Sequence, residues 1–202
     1  YKEIKKNSNI IISKLIFYGN KPKYFRREDL KKIYFFPEKF ISSRISRFIL
    51  KLKEKEFIVS PMAGEIIKFK NLLSKKRLVH FHPGNLPYFK GSTVLYYTLL
   101  EKKKIFCSCF ILSKEVDTGK ILLKEKFKTP KFQNEWDIEQ YDNYLRSKTM
   151  IKYIKSSVKK DKKKIKDNYI NYFIIHPVLR KIVVNKKILE FIKKIKNKMY
   201  NL

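Results

Sequence analysis

The chain has 202 residues, which is enough for one domain with a buried core. Its formal charge of +31 would favour a polyanionic partner such as nucleic acid. Lysine supplies nearly all of this charge, however, and isoleucine, asparagine, phenylalanine and tyrosine are abundant as well. Because an AT-rich coding sequence yields that mixture, we interpret the charge as a solvated surface and predict no specific nucleic-acid partner.

The first half of the chain alternates between the two kinds of secondary structure. Residues 9–19 are predicted to form a strand or two short strands, and residues 26–55 are mostly helical in pattern. Residues 57–60 form a buried strand, and a further strand over residues 77–81 leads into a Pro/Gly loop that contains His82.

The second half continues in the same way, with a helix over residues 93–103 and strands over residues 105–112 and 119–127. Short connections between strands and helices predict an α/β protein with a Rossmann-like, mostly parallel sheet flanked by helices. In such sheets ligands bind at the carboxyl ends of strands, which is where His82 falls. We assign residues 1–155 to this domain.

The two cysteines, Cys107 and Cys109, lie two residues apart in one apolar strand. They therefore share a face and cannot form a disulfide of normal geometry, and we predict two buried apolar side chains. The chain has no disulfide framework, signal peptide or uncharged stretch long enough to span a bilayer, which predicts a cytoplasmic protein. Because the sequence begins with Tyr1 rather than Met, we expect further residues before it.

Residues 156–202 are predicted to form a lysine-rich C-terminal extension. Residues 156–166 have the composition of a solvated linker or helix face. A short terminal helix follows, with an apolar face formed by Ile188, Phe191, Ile192, Ile195, Met199 and Leu202. We expect this face to pack on the domain or on a second copy in a homodimer, and weak contact with an anionic membrane surface is the alternative.

Two isolated side chains lie outside these patterns. His176 precedes Pro177, and we predict a packed residue at the boundary between a strand and a turn. Trp136 lies in a polar stretch, where it either covers the core or caps a ligand.

Residues that can carry chemistry concentrate between positions 80 and 119. His80 and His82 immediately precede the Pro83-Gly84 turn, and Asp117 lies on a second loop that ends in a glycine. An imidazole and a carboxylate on two such loops at the rim of a sheet are typical of an acid–base pair.

This segment resembles the folate-dependent formyltransferases, a family that acts on methionyl-tRNA, glycinamide ribonucleotide and nucleotide-linked amino sugars. The family pattern is Asn-x-His-Pro-(Ser/Gly)-x-Leu-Pro, then Arg/Lys-Gly, then Asp-(Thr/Ala)-Gly. The chain follows it in order at residues 82–87, 90–91 and 117–119, close to the family spacing. The resemblance covers residues 57–146 and implies the formyltransferase fold.

The resemblance also implies transfer of a formyl group from 10-formyltetrahydrofolate to a primary amine. In that reaction His82 donates to the oxyanion as an imidazolium, while Asp117 accepts a proton from the amine and orients His82. The implied folate-binding residues are Met62, Ala63, Gly64, Glu65, Ile66 and Val116. The implied substrate-binding residues are Pro83, Gly84, Lys90, Gly91, Ser92 and Thr93.

His80 departs from the family, which has a catalytic asparagine at this position. A histidine can still donate one hydrogen bond, but its charge and tautomer depend on pH. The interpretations are a subfamily with a His-x-His motif, a changed reaction, or a protein without catalysis, and we favour the first because His82 and Asp117 remain. His80, His82 and Asp117 could also form a two-His, one-carboxylate metal set, although we predict no metal.

The length of the tail distinguishes the substrate classes. After residue 150 we expect no tRNA-binding domain, and the start of the chain lacks the glycine-rich phosphate loop of the glycinamide ribonucleotide branch. We therefore predict a nucleotide-linked amino sugar as substrate, in polysaccharide synthesis. The alternatives are a 10-formyltetrahydrofolate hydrolase, a non-catalytic folate binder and a basic nucleic-acid-binding protein.

Overall fold

Strands and short helices alternate along the protein, whose computed structural model describes residues 14–19, 33–61, 65–156 and 171–185. In these ranges the strands are β1 (Leu15–Tyr18), β2 (Ile33–Phe36), β3 (Glu56–Ile58), β4 (Arg77–His82), β5 (Lys90–Gly91), β6 (Ile105–Ile111), β7 (Ile121–Phe127) and β8 (Asn171–Tyr172). The helices are α1 (Ser43–Lys51), α2 (Lys70–Lys75), α3 (Val94–Leu100), α4 (Glu135–Lys155) and α5 (Pro177–Val184).

The central sheet has four strands in the order β3-β4-β6-β7. β3 and β4 are parallel, whereas β6 runs antiparallel to both β4 and β7. β1 pairs with β2 and β5 pairs with β8, each in parallel, so parallel pairings prevail among the described strands. The predicted α/β class is therefore confirmed, and the central sheet is mixed. A loop rather than a helix joins β6 to β7, which suits the antiparallel pairing of these two strands.

The two faces of this sheet enter different cores, as adjacent residues of β4 illustrate. Val79 packs with Leu145 of α4 in one cluster, and Leu78 packs with Ile45 of α1 and Leu72 of α2 in the other. Successive side chains of a strand point to opposite faces, so one buried strand can serve both layers. Cys107 and Cys109 belong to the first cluster as free, buried thiols, as predicted.

The mostly helical prediction for residues 26–55 is wrong in part. Residues 33–36 form β2, where consecutive aromatic and β-branched side chains favour a strand. The helix in this region begins only at Ser43, after Ser42 caps it by accepting a hydrogen bond from the Ile45 amide.

His176 differs from expectation, and one of the two alternatives for Trp136 is excluded. His176 is exposed, and its Nδ1 accepts a hydrogen bond of 3.2 Å from the Val178 amide, which caps α5. Trp136 is 65% exposed and does not cover the core. Both residues lie at the start of a helix, and their side chains are exposed there rather than buried.

Residues 171–185 pack on the domain. Ile175 is buried in the cluster under α4, and α5 packs against α3 and α4. The predicted lysine run beyond Ser156 and the apolar helix face from Ile188 onward lie outside the described residues. None of the described helices combines the length and the apolar character needed to cross a bilayer.

Candidate functional site

The carboxyl end of β4 carries His80 and His82 on one face of the strand. They alternate with Phe81, whose ring enters the core under α4. Both imidazoles are buried, with exposures of 9% for His80 and 4% for His82. Each ring nitrogen therefore depends on protein groups for its hydrogen bonds.

Both nitrogens of His82 have protein neighbours. Nε2 lies 2.8 Å from the carbonyl oxygen of Phe89, which can only accept, so Nε2 carries a proton. Nδ1 lies 3.6 Å from Oδ2 of Asp117, longer than a direct hydrogen bond. A Cβ on Gly84 would lie 2.7 Å from both His82 Nε2 and the Phe89 oxygen, so this close packing requires glycine. Nδ1 is consequently the nitrogen left to face a ligand.

Asp117 is held in place by its backbone conformation and by the neighbouring loop. Its φ is +53°, a left-handed conformation that aspartate tolerates better than most residues. Its Oδ2 accepts a hydrogen bond of 2.8 Å from the Gly91 amide. The loop after β6 and strand β5 thus meet at this carboxylate.

His80 is held in one tautomer. Its Nδ1 lies 2.9 Å from the Val59 carbonyl oxygen and must donate to it. Burial lowers the pKa of His80 to about 4, and the positive charge of Arg146 contributes in the same direction. The ring is therefore neutral at physiological pH, and its Nε2 carries a lone pair. A neutral histidine can donate one hydrogen bond, and His80 donates it to the Val59 backbone rather than to a ligand.

A cavity of about 350 Å³ joins these groups. The predicted site residues that line it are His80, His82, Asp117, Glu65, Ile66, Val116, Pro83, Gly91, Ser92 and Thr93. Gly84 lies beside the His82 ring, and Lys90 is fully buried and does not line the cavity. Met62, Ala63 and Gly64 lie outside the described residues.

The wall formed by α4 was not predicted from the sequence as part of the site. Asp142, Asn143 and Arg146 line the cavity. Arg146 donates through Nε to Asp142 and through Nη1, at 2.7 Å, to the carbonyl oxygen of Phe81. The spacing of four residues between Asp142 and Arg146 indicates an ion pair on a helix, but nothing local indicates that it faces β4.

The segment around β8 supports the opposite wall, which the sequence did not indicate either. Tyr172 accepts a hydrogen bond of 2.8 Å from the Ser92 amide. Gly91 has a φ of +98°, and a Cβ there would lie 2.1 Å from the backbone carbonyl oxygen of Tyr172. The hydroxyl of Thr93 accepts from the Ile175 amide at 2.9 Å and donates to the Phe173 carbonyl at 3.3 Å. Three cavity-lining residues are thus held by residues 172–175.

No three histidine, cysteine, aspartate or glutamate side chains in the described part of the chain are arranged to bind a metal ion. His80 and His82 each direct one ring nitrogen to a backbone carbonyl instead.

The fold is similar to those of solved formyltransferases. A sugar N-formyltransferase from a Shewanella species matches with a TM-score of 0.54 and 13% identity over 75% of this chain. PseJ from Anoxybacillus kamchatkensis, in complex with UDP-4,6-dideoxy-4-formamido-L-AltNAc and tetrahydrofolate, gives 0.57 and 14% identity over 79% of this chain. The methionyl-tRNA formyltransferase from Clostridium thermocellum gives 0.54 and 15% identity over 83% of this chain. The predicted formyltransferase fold is therefore confirmed.

The chain spans 66% of the Shewanella enzyme, 85% of PseJ and 74% of the Clostridium enzyme. Its sequence matches no protein-family model and no curated protein sequence significantly.

Proposed function

We propose that the protein transfers a formyl group from 10-formyltetrahydrofolate to the primary amine of a nucleotide-linked amino sugar. The observation that carries this proposal is the approach of His82 Nδ1 to Asp117 Oδ2 at 3.6 Å in one cavity of a formyltransferase fold. A donor and a proton acceptor at this separation can both reach one reacting group.

The cavity has properties suited to a small-molecule ligand. Its volume of about 350 Å³ is within the usual range for small-molecule sites. Ile66, Ile67, Leu112 and Val116 form apolar walls suited to a flat ring, and Ser92 and Thr93 add polar groups. The folate donor would supply the formyl group, and the residues of this chain would position it.

Transfer forms a bond between the amine nitrogen and the formyl carbon and breaks the bond from that carbon to the folate nitrogen. The amine loses one proton and the leaving nitrogen gains one. Asp117 lies where it can accept the amine proton, directly or through water. In this role His82 acts as an imidazolium with a proton on each nitrogen. The Nε2 proton is bonded to Phe89, and the Nδ1 proton can be donated to the formyl oxygen as negative charge develops there.

A solved structure with the same fold supports the nucleotide-linked amino sugar as the amine substrate. PseJ, which shares the fold, was solved with a UDP-linked formamido sugar. A role in polysaccharide synthesis in the cytoplasm would follow from that substrate class.

The test is tetrahydrofolate release from 10-formyltetrahydrofolate, measured with and without a panel of nucleotide-linked amino sugars. We expect tetrahydrofolate to be released only when the amine is present. His82→Ala should abolish this release without changing the circular dichroism spectrum. Release that needs no amine would indicate a hydrolase instead. A folded protein that binds folate but releases none would contradict the proposed transfer.

A further inference from the structure

Position 80 offers the cavity a hydrogen-bond acceptor. The Nδ1 proton of His80 is committed to the Val59 carbonyl, and the remaining nitrogen, Nε2, carries a lone pair. Negative charge on a formyl oxygen needs donors, and a lone pair would repel it. If the proposed transfer takes place, another group must therefore donate beside His82.

Arg146 lies where such a donor is required. Its Nη1 is bonded at 2.7 Å to the carbonyl oxygen of Phe81, the residue between His80 and His82. Its Nε is bonded to Asp142 on the preceding helical turn, which fixes the orientation of the guanidinium. These two bonds use two of the five N–H groups of an arginine, and the side chain is 33% exposed.

The guanidinium is also close enough to His80 to affect it, since its charge contributes to the lowered pKa of that ring. Of the described residues that line the cavity, Arg146 is the only lysine or arginine. It thus combines a permanent charge, a fixed plane and N–H groups at the solvent-accessible wall.

We infer that Arg146 is a catalytic residue whose guanidinium donates to the formyl oxygen during transfer, in the role that an amide at position 80 would otherwise have. This inference rests on the proposed function. Neutral His80 then accepts a hydrogen bond from the attacking amine through Nε2, and His82 and Arg146 share the developing negative charge.

The first test is a double-mutant cycle between Arg146→Gln and His80→Asn, with amine-dependent tetrahydrofolate release as the readout. We expect Arg146→Gln to lower kcat by about 100-fold, the usual loss for one oxyanion donor, with KM for the amine nearly unchanged. His80→Asn restores an amide, so the loss from Arg146→Gln should be at least several-fold smaller in that background.

The matched control is Arg180→Gln, because Arg180 contacts Tyr96 and Glu135 and does not line the cavity. We expect kcat to stay within about twofold of the wild type, because this partly buried arginine lies away from the cavity. Equal losses in both backgrounds of the cycle would overturn the inference, and so would an effect confined to KM, which would indicate that Arg146 only anchors an anionic part of a ligand.

A binding measurement separates this inference from the proposed function. The probes are dihydrofolate and 10-formyldihydrofolate, which differ by the formyl group, and affinity is measured by calorimetry. We expect Arg146→Gln to weaken binding of the formylated probe by about tenfold and to leave the other unchanged. Equal effects on both probes would overturn the inference. Selective weakening in a protein without turnover would refute the proposed transfer but retain the Arg146 contact.

Discussion

The imidazole of His82 is bonded through Nε2 to the carbonyl oxygen of Phe89, seven residues further along the chain. The loop after β4 therefore folds back over the last residue of that strand, and only Nδ1 of His82 faces the cavity. The geometry of the site depends on this closure, which brings Nδ1 to 3.6 Å from Asp117.

Gly84→Ala should impair the site and lower the stability of the loop after β4. The added Cβ would lie 2.7 Å from both His82 Nε2 and the Phe89 carbonyl oxygen, so the ring and the loop must shift and the bond between them must weaken. We expect a loss of activity of about 100-fold, since misplacement by roughly 1 Å has that effect. Tyr88→Ala is the control, because Tyr88 is exposed on the same loop. An active Gly84→Ala variant would mean that Gly84 does not determine the position of His82.

Asp117→Asn should separate proton transfer from positioning. The amide oxygen of asparagine can still accept from the Gly91 amide, but the side chain can no longer take a proton. We expect amine-dependent turnover to fall by about 100- to 10,000-fold, with the thermal midpoint nearly unchanged. Asp137→Asn, at the exposed start of α4, is the control. Full activity in Asp117→Asn would show that this carboxylate does not accept the amine proton.

His80 should make stability depend on pH. Its pKa is about 4 in the folded protein and about 6.5 when unfolded, so the unfolded chain binds the proton first as pH falls. This contribution to stability is complete above about pH 6.5 and is lost progressively towards pH 4.

The measurement is the free energy of unfolding in urea at several values between pH 7.5 and 4.5. His80→Asn should show a shallower loss than the wild type, because asparagine does not titrate. Identical profiles for wild type and His80→Asn would show that His80 is not buried in its neutral form.

The two thiols should be inert in the folded protein. Burial raises the pKa of Cys107 to about 12 and that of Cys109 further, and the thiolate is the reactive form. We expect labelling by a disulfide reagent only after urea is added. Ser43→Cys, exposed at the start of α1, provides a site that should label at once. Rapid labelling of the native wild type would contradict the burial of β6.

Thr93→Val should loosen the segment around β8. The change removes the hydroxyl that bonds the Ile175 amide and the Phe173 carbonyl, while the size of the side chain is kept. We expect a loss of roughly 1 to 2 kcal/mol in stability and faster hydrogen exchange over residues 171–176. Thr93→Ser keeps the hydroxyl and should exchange like the wild type. Unchanged exchange in Thr93→Val would show that other contacts hold this segment.

Much of the local structure could be predicted because its signals are local. β4, β6 and β7 follow from their apolar runs, and His82, Asp117 and their turn glycines stand out by residue type and spacing. β2 was assigned to a helix because a short run of aromatic and β-branched residues has no clear period, and its pairing with β1 decides the outcome.

The sequence by itself determined the α/β class, the position of the candidate site at the end of β4, and the identities of the imidazole and carboxylate that face each other there. Only the tertiary structure decided which nitrogen of each histidine remains available, because the partners are carbonyl groups of Val59 and Phe89. It also decided that Arg146 contacts Phe81, which lies 65 residues earlier in the chain. This contact depends on how α4 packs across β4, and no pattern of neighbouring residues encodes that packing.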